Sequence, residues 1–298
     1  MARGLSKIPT KYWWGRLTKL SSRLGLFTGL LWLIACATNP YTSRTQLLLV
    51  SQAEEMRLGG EAYEQILKDP KIRISQDSRE VEPVRRVAQR IIATAKASKY
   101  ADLANQFDWQ VTVIKDDQVL NAFALPGGKI AVYTGIFPVA KNEAGLAAIM
   151  GHEVTHALAR HGAERMSQSL VTQLGIQAAS ITLGAKGASP EVQQAVMSAL
   201  GLGANVGVLL PFSRAHESEA DYIGLLFMAQ AGYDPREAVR VWERMEQLSK
   251  EQPAEFLSTH PSHETRIKQL QAWMPDALAL YAPGPDSRPA ELPAVSTR

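Results

Sequence analysis

The sequence predicts an α+β fold, mainly helical, with a small antiparallel sheet placed just ahead of one central helix. Three observations carry that expectation. Apolar residues recur at helical spacing from residue 52 onward, the period changes to alternation and short apolar runs between 107 and 135, and helical spacing returns at 142. The 298 residues are 46% hydrophobic and 20% charged, which suits one domain of about 200 to 250 residues with extensions. A single cysteine excludes a disulfide framework and any cysteine-based metal site.

The N-terminus reads as an address. Residues 1–23 hold six basic side chains (Arg3, Lys7, Lys11, Arg16, Lys19 and Arg23) and no acid. The apolar run LGLFTGLLWLIA at 24–35 follows. As a helix it would rise about 18 Å, too short for a hydrocarbon core of about 30 Å. It is therefore expected to be an export signal that is removed. Leu33-Ile34-Ala35-Cys36 resembles a bacterial lipoprotein signal, in which the cysteine is lipidated and becomes N-terminal. That resemblance, with Ala37 next, implies the outer membrane of a Gram-negative envelope, periplasmic face, held through acylated Cys36. Without residues 1–23 the chain carries 26 positive and 29 negative side chains, so no basic surface for nucleic acid is expected.

Residues 36–50 read as a tether. Apolar and small residues at helical spacing predict a helix over 52–68, ended by Asp69-Pro70. A second helix is expected over 79–98, with Val84, Val87, Ile91 and Ile92 on one face. FDWQVTVIK at 107–115 alternates, 118–124 continues apolar, and KIAVYTG follows the Pro126-Gly127-Gly128 turn as another strand. A helix is expected over 142–161. Residues 167–212 contain only two charges, Lys186 and Glu191, and read either as a buried helical hairpin or as a mobile flap contacting a cleft or membrane. Further helices are expected at 214–231, 235–250 and 262–275, closing a domain of 51–281. Four prolines from Ala282 onward predict a disordered tail over 282–298. No internal repeat is evident.

The chemistry lies in His152-Glu153-Val154-Thr155-His156, an HExxH within the 142–161 helix. Four residues on a helix turn about 400°, so both imidazoles share one face and can share a metal ion, with Glu153 beside it. A hydrolytic zinc site needs a third protein ligand and an open position for water. The extended pattern HExxHxxGxxH fails, because positions 159 and 162 are Ala159 and Gly162. His161 lies about 140° round a continuous helix from His156 and is expected to face elsewhere. The better source is the helix beginning Ser213-Arg214-Ala215-His216-Glu217-Ser218-Glu219-Ala220-Asp221. Glu217 and Asp221 are four apart and cofacial, one to ligate the metal and the other to orient a ligand imidazole through its free N–H. Glu219 points to the opposite side. The Lys129–Tyr133 strand is a candidate edge for an extended substrate to join.

HEVTH with Ala157-Leu158-Ala159-Arg160-His161, LNAFALPGGKIAVYTGI at 120–136, ESEAD at 217–221, and Thr259-His260-Pro261 with Arg266-Ile267 resemble the HtpX-like and Oma-like zinc metalloendopeptidases, peptidase family M forty-eight, over about 51–275. The resemblance implies a zincin-like (gluzincin) fold binding one Zn2+ per chain through His152, His156 and Glu217, with Glu153 as general base. It also implies a role for His260, either reaching the zinc to hold the enzyme latent or stabilising an oxyanion.

Two functions follow as expectations. One is a lipid-anchored periplasmic zinc endopeptidase cutting unfolded or misassembled envelope proteins, a substrate class that comes from the resemblance. The other is an assembly factor or chaperone for outer-membrane proteins whose zinc site is capped by His260. A purely structural zinc site would close all four positions with protein ligands and leave Glu153 without a task.

Overall fold

The computed structural model describes residues 36–182, 212–249, 256, 260, 265–283 and 290–295. The proposed signal at 1–35 lies outside them, as does 183–211, most of the low-charge stretch. Two short strands, β1 (Cys36–Thr38) and β2 (Thr45–Leu47), open the chain as an antiparallel pair. Helices α1 (Gln52–Lys68) and α2 (Ser78–Lys96) follow, capped by the Ser51 and Asp77 side chains. After the short α3 (Ala101–Ala104) come β3 (Gln110–Ile114), β4 (Ala122–Leu125) and β5 (Lys129–Tyr133). The helices α4 (Phe137–Ala140), α5 (Glu143–Leu158), α6 (His161–Thr182), α7 (Arg214–Gln230), α8 (Arg236–Ser249) and α9 (Arg266–Leu280) complete the fold.

The expected small antiparallel sheet is present as the β4–β5 pair, turned by Gly127 and Gly128 at φ 82° and 85°. β3 extends it in parallel on the far side of β5, giving the order β3-β5-β4. This corrects one expectation: Lys129–Tyr133 is the central strand and has no free edge. β4 is the outer strand on the side of the HExxH helix, and its residues line the cleft beside Glu153 and His156.

Every residue of α5 but Ala148 is buried, so it is a core helix wrapped by α2, α7 and α8. Its N-terminus is capped by Asn142, whose Oδ1 accepts from the Gly145 N–H at 2.9 Å. α7 crosses it at two glycines. A β-carbon added at Gly224 would sit 2.7 Å from the His152 nitrogen, and one at Gly151 would sit 2.8 Å from the Gly224 oxygen. Their hydrogens let the two backbones touch, which brings the first turns of α7 up to the imidazoles of α5.

Four boundaries differ from the sequence expectation. The tether is a folded hairpin through Leu47: its Asn39 is buried, Tyr41 packs on Tyr100 and Phe227, and Gln46 donates to Ala159 O at 2.7 Å. The 142–161 helix ends at Leu158, and Arg160 adopts φ 56° before α6 begins. That left-handed residue is held by its own side chain, which donates to Glu55 (2.7 Å) and to Val50 O (2.9 Å). α9 continues through Pro275 to Leu280, carried by the buried Ala277 and by Trp273 against Tyr222. The tail is partly ordered: Glu143 N–H donates to Ala290 O, Leu292 N–H donates to Lys141 O, and Leu292 is buried. No helix among the described residues is long and apolar enough to cross a membrane.

Candidate metal centre

α5 supplies His152, Glu153 and His156, α7 supplies Glu217 and Asp221, and His260 comes from the segment preceding α9. All six are buried. The Nε2 atoms of His152 and His156 lie 3.1 Å apart. Glu217 closes the group, with Oε2 3.5 Å from His152 Nε2 and Oε1 3.4 Å from His156 Nε2. His260 Nδ1 joins it, 3.2 Å from His152 Nε2 and 3.0 Å from Glu217 Oε1. One donor atom from each of these four residues falls within 4.8 Å of the others.

The donor set fits a metal ion. Ligands about 2.0–2.1 Å from a tetrahedral centre are about 3.3 Å from one another, the spacing seen here. Glu217 Oε2 is buried and has no hydrogen-bond donor aligned to it among the described residues, although Arg266 Nη1 touches it at 2.9 Å. Burial pushes the Glu217 carboxyl upward. His260, His152 and His156 outweigh it and hold it far below the usual carboxylate range.

Asp221 Oδ1 lies 2.9 Å from His152 Nδ1, the ring nitrogen turned away from the cluster. Burial disfavours a charged His152, yet Asp221 and Glu217 raise its pKa to about 9. Glu153 is beside the donor group, with Oε1 3.3 Å from His260 Nε2. Burial pushes its carboxyl above the usual range, against the pull of His260 and His152. Burial also drives the His156 pKa well below its ordinary value.

Sequence reasoning missed three participants. Arg266 appeared only as a motif residue. Its guanidinium, fully buried on Trp242 at 3.5 Å, donates to both Asp221 oxygens and contacts Glu217, so it neutralises the paired acids of α7. His161 was expected to face elsewhere. Instead the helix break at Arg160 folds it back, placing its Nδ1 2.9 Å from His156 Nδ1 and its Nε2 2.8 Å from Glu219 Oε2. Burial lowers its pKa to about 4, which keeps the ring neutral. Glu219 does point away from Glu217, and it ends on His161, Arg44 and Thr42. No helical-wheel argument finds these, because the wheel assumes an unbroken helix.

The cleft over this group is lined by β4, Phe212, Arg165 and His260. The Phe212 ring lies tilted against the His156 ring, centroids 3.9 Å apart, and sits under the Arg165 guanidinium at 4.1 Å.

Comparison with known proteins agrees with this geometry. The chain is 37% identical to the mitochondrial metalloendopeptidase OMA1 of Schizosaccharomyces pombe over 243 residues, covering 80% of this chain and 66% of that protein. It is 29% identical to the human mitochondrial metalloendopeptidase OMA1, covering 90% of this chain and 51% of the relative. It is 31% identical to the beta-barrel assembly-enhancing protease of Escherichia coli, covering 52% of this chain and 32% of the relative. The chain thus spans from a third to two thirds of the length of these relatives. The family model described as Peptidase family M48 matches residues 78–274, which include both donor helices and His260. With more than half of its length matched, the chain belongs to Peptidase family M48, and these relatives are named as proteases.

Proposed function

We propose that this chain is a zinc endopeptidase of a bacterial envelope that cuts unfolded or misassembled proteins. The observation that carries the reading is that His152 Nε2 and His156 Nε2 lie 3.1 Å apart, each with one of the two Glu217 oxygens 3.4–3.5 Å away, and with Glu153 beside them. A zinc ion held there supplies a Lewis acid that polarises a carbonyl and lowers the pKa of bound water from about 15.7 toward 7.

The chain's own residues do the rest. Glu153 takes the proton from the attacking water and returns it to the leaving nitrogen. That carboxylate faces the cleft lined by β4, the strand beside which an extended peptide lies. β4 pairs on one side only among the described residues, so its outer edge offers backbone groups to such a peptide. Asp221 fixes His152, and Arg266 fixes Asp221. His260, seated among the donors, would hold a bound ion together with His152, His156 and Glu217 and would have to move aside for a substrate carbonyl.

The envelope location rests on the lipoprotein-like run ending at Cys36, and on a relative named for β-barrel assembly. Because β1 begins at Cys36, acylation there would hold the domain within a few residues of the bilayer. The test is digestion of casein by the purified chain, with and without chelator, beside Glu153→Gln. Cleavage by wild type that chelator and the substitution both abolish, with zinc retained in the variant, is expected; cleavage by Glu153→Gln would refute the mechanism. If Glu153→Gln fully restores envelope assembly in a deletion strain, the chaperone reading replaces it.

A further inference from the structure

The two imidazoles of the HExxH are not supported in the same way. His152 meets a carboxylate directly, through Asp221. His156 meets another imidazole, and the carboxylate lies one ring further out. A neutral imidazole has one N–H, so a ring that gives Nε2 to a metal keeps its proton on Nδ1. The atom facing His156 Nδ1, at 2.9 Å, is His161 Nδ1, which must then accept. That requirement puts the His161 proton on Nε2, and Nε2 points at Glu219 Oε2 at 2.8 Å. Glu219 is in turn held by the hairpin after Cys36: Arg44 Nε and Nη2 donate to Oε2 at 3.1 and 2.8 Å, and the Thr42 hydroxyl donates to Oε1. Each hydrogen bond in the series therefore has one allowed direction: the donors run outward from the candidate ligand as far as Glu219, which also accepts the bonds donated by the hairpin. Its geometry is held by a left-handed residue at Arg160, a conformation that non-glycine residues take up only at a cost.

We propose that His161 and Glu219, locked by Thr42 and Arg44 of the N-terminal hairpin, are positioning residues that fix the tautomer and ring angle with which His156 meets a metal ion. The proposal rests on the metal-centre reading given above. It makes the hairpin part of the metal centre, acting through Glu219 and His161.

The test measures zinc affinity of the full chain by chelator competition, together with the melting temperature of the metal-free form. His161→Phe keeps the ring shape and removes both nitrogens, and affinity is expected to fall about 10- to 100-fold. His161→Asn places an amide oxygen where Nδ1 was and recovers most of that loss. His161→Gln reaches toward Glu219 but offers no acceptor at the Nδ1 position, so it stays as weak as His161→Phe. Arg44→Ala, at the far end of the series, weakens binding severalfold. A packing role would instead favour His161→Phe over His161→Asn. That order, or equal affinity in wild type and His161→Phe, overturns the proposal alone. A wild-type chain that binds no zinc overturns the metal-centre reading and this one with it.

Discussion

Asp221 Oδ1 stands 2.9 Å from Nδ1 of His152, while one helical turn earlier Glu217 Oε2 lies 3.5 Å from Nε2 of the same ring. One imidazole is thus gripped at both nitrogens by two acids of α7, and the spacing of four residues between them makes that possible. Asp221→Asn keeps the shape and weakens the acceptor. Zinc affinity is expected to fall about 10- to 100-fold while the fold persists. Chelator competition measures it, and undiminished affinity would remove Asp221 from the centre.

The grip depends on the α5–α7 crossing. Gly224→Ala puts a methyl 2.7 Å from the His152 backbone nitrogen, where neither backbone can yield cheaply. Overpacking of this kind costs about 1–3 kcal/mol. The variant is expected to unfold at lower denaturant and to bind zinc more weakly, since separating the helices withdraws Glu217 from the imidazoles. Unchanged denaturation midpoints would show that the crossing relaxes freely.

Acid should loosen the hairpin from the centre. Burial raises the Glu164 pKa, but hydrogen bonds from His216, Arg44 and Gln46 outweigh it and hold the carboxyl well below its ordinary value; His161, Arg44 and Thr42 likewise bring Glu219 to about 2. A carboxyl depressed in the folded state stabilises fully above its unfolded value, about 4.3, and loses that stabilisation as pH falls through its folded value. The urea midpoint of the metal-free chain is therefore expected to drop between about pH 5 and 2. Glu164→Gln should lie below wild type at pH 7 and converge with it in acid. A constant gap across that range would deny the coupling.

The sequence showed some of this and hid the rest for identifiable reasons. The α1 helix is legible to the residue, because Ser51 caps it and Asp69-Pro70 ends it. The meeting of His152, His156, Glu217 and Asp221 is legible because each pair is four apart on a helix. His161 is not, since Ala159 and Arg160 are ordinary helix formers, and only tertiary bonds to Glu55 and Val50 turn the chain there. The hairpin at 36–47 escaped because strands of three residues have no readable period. The central place of β5 escaped because alternation fixes a strand's faces and not its neighbours.

His260 offers the last test. Its Nδ1 is 3.0 Å from Glu217 Oε1 and 3.2 Å from His152 Nε2, whereas its Nε2 is 3.3 Å from Glu153. A residue poised to stabilise an oxyanion would aim at a substrate carbonyl over β4; this one sits within the His152, His156 and Glu217 group, beside the Glu153 carboxylate. Three other donors remain without it, so His260→Ala is expected to keep zinc and to digest casein severalfold faster than wild type. The matching change in metal affinity should be small, because a catalytic site holds its ion with three protein ligands. If casein cleavage falls in His260→Ala with zinc retained, the ring acts on the transition state, and the resting enzyme is open.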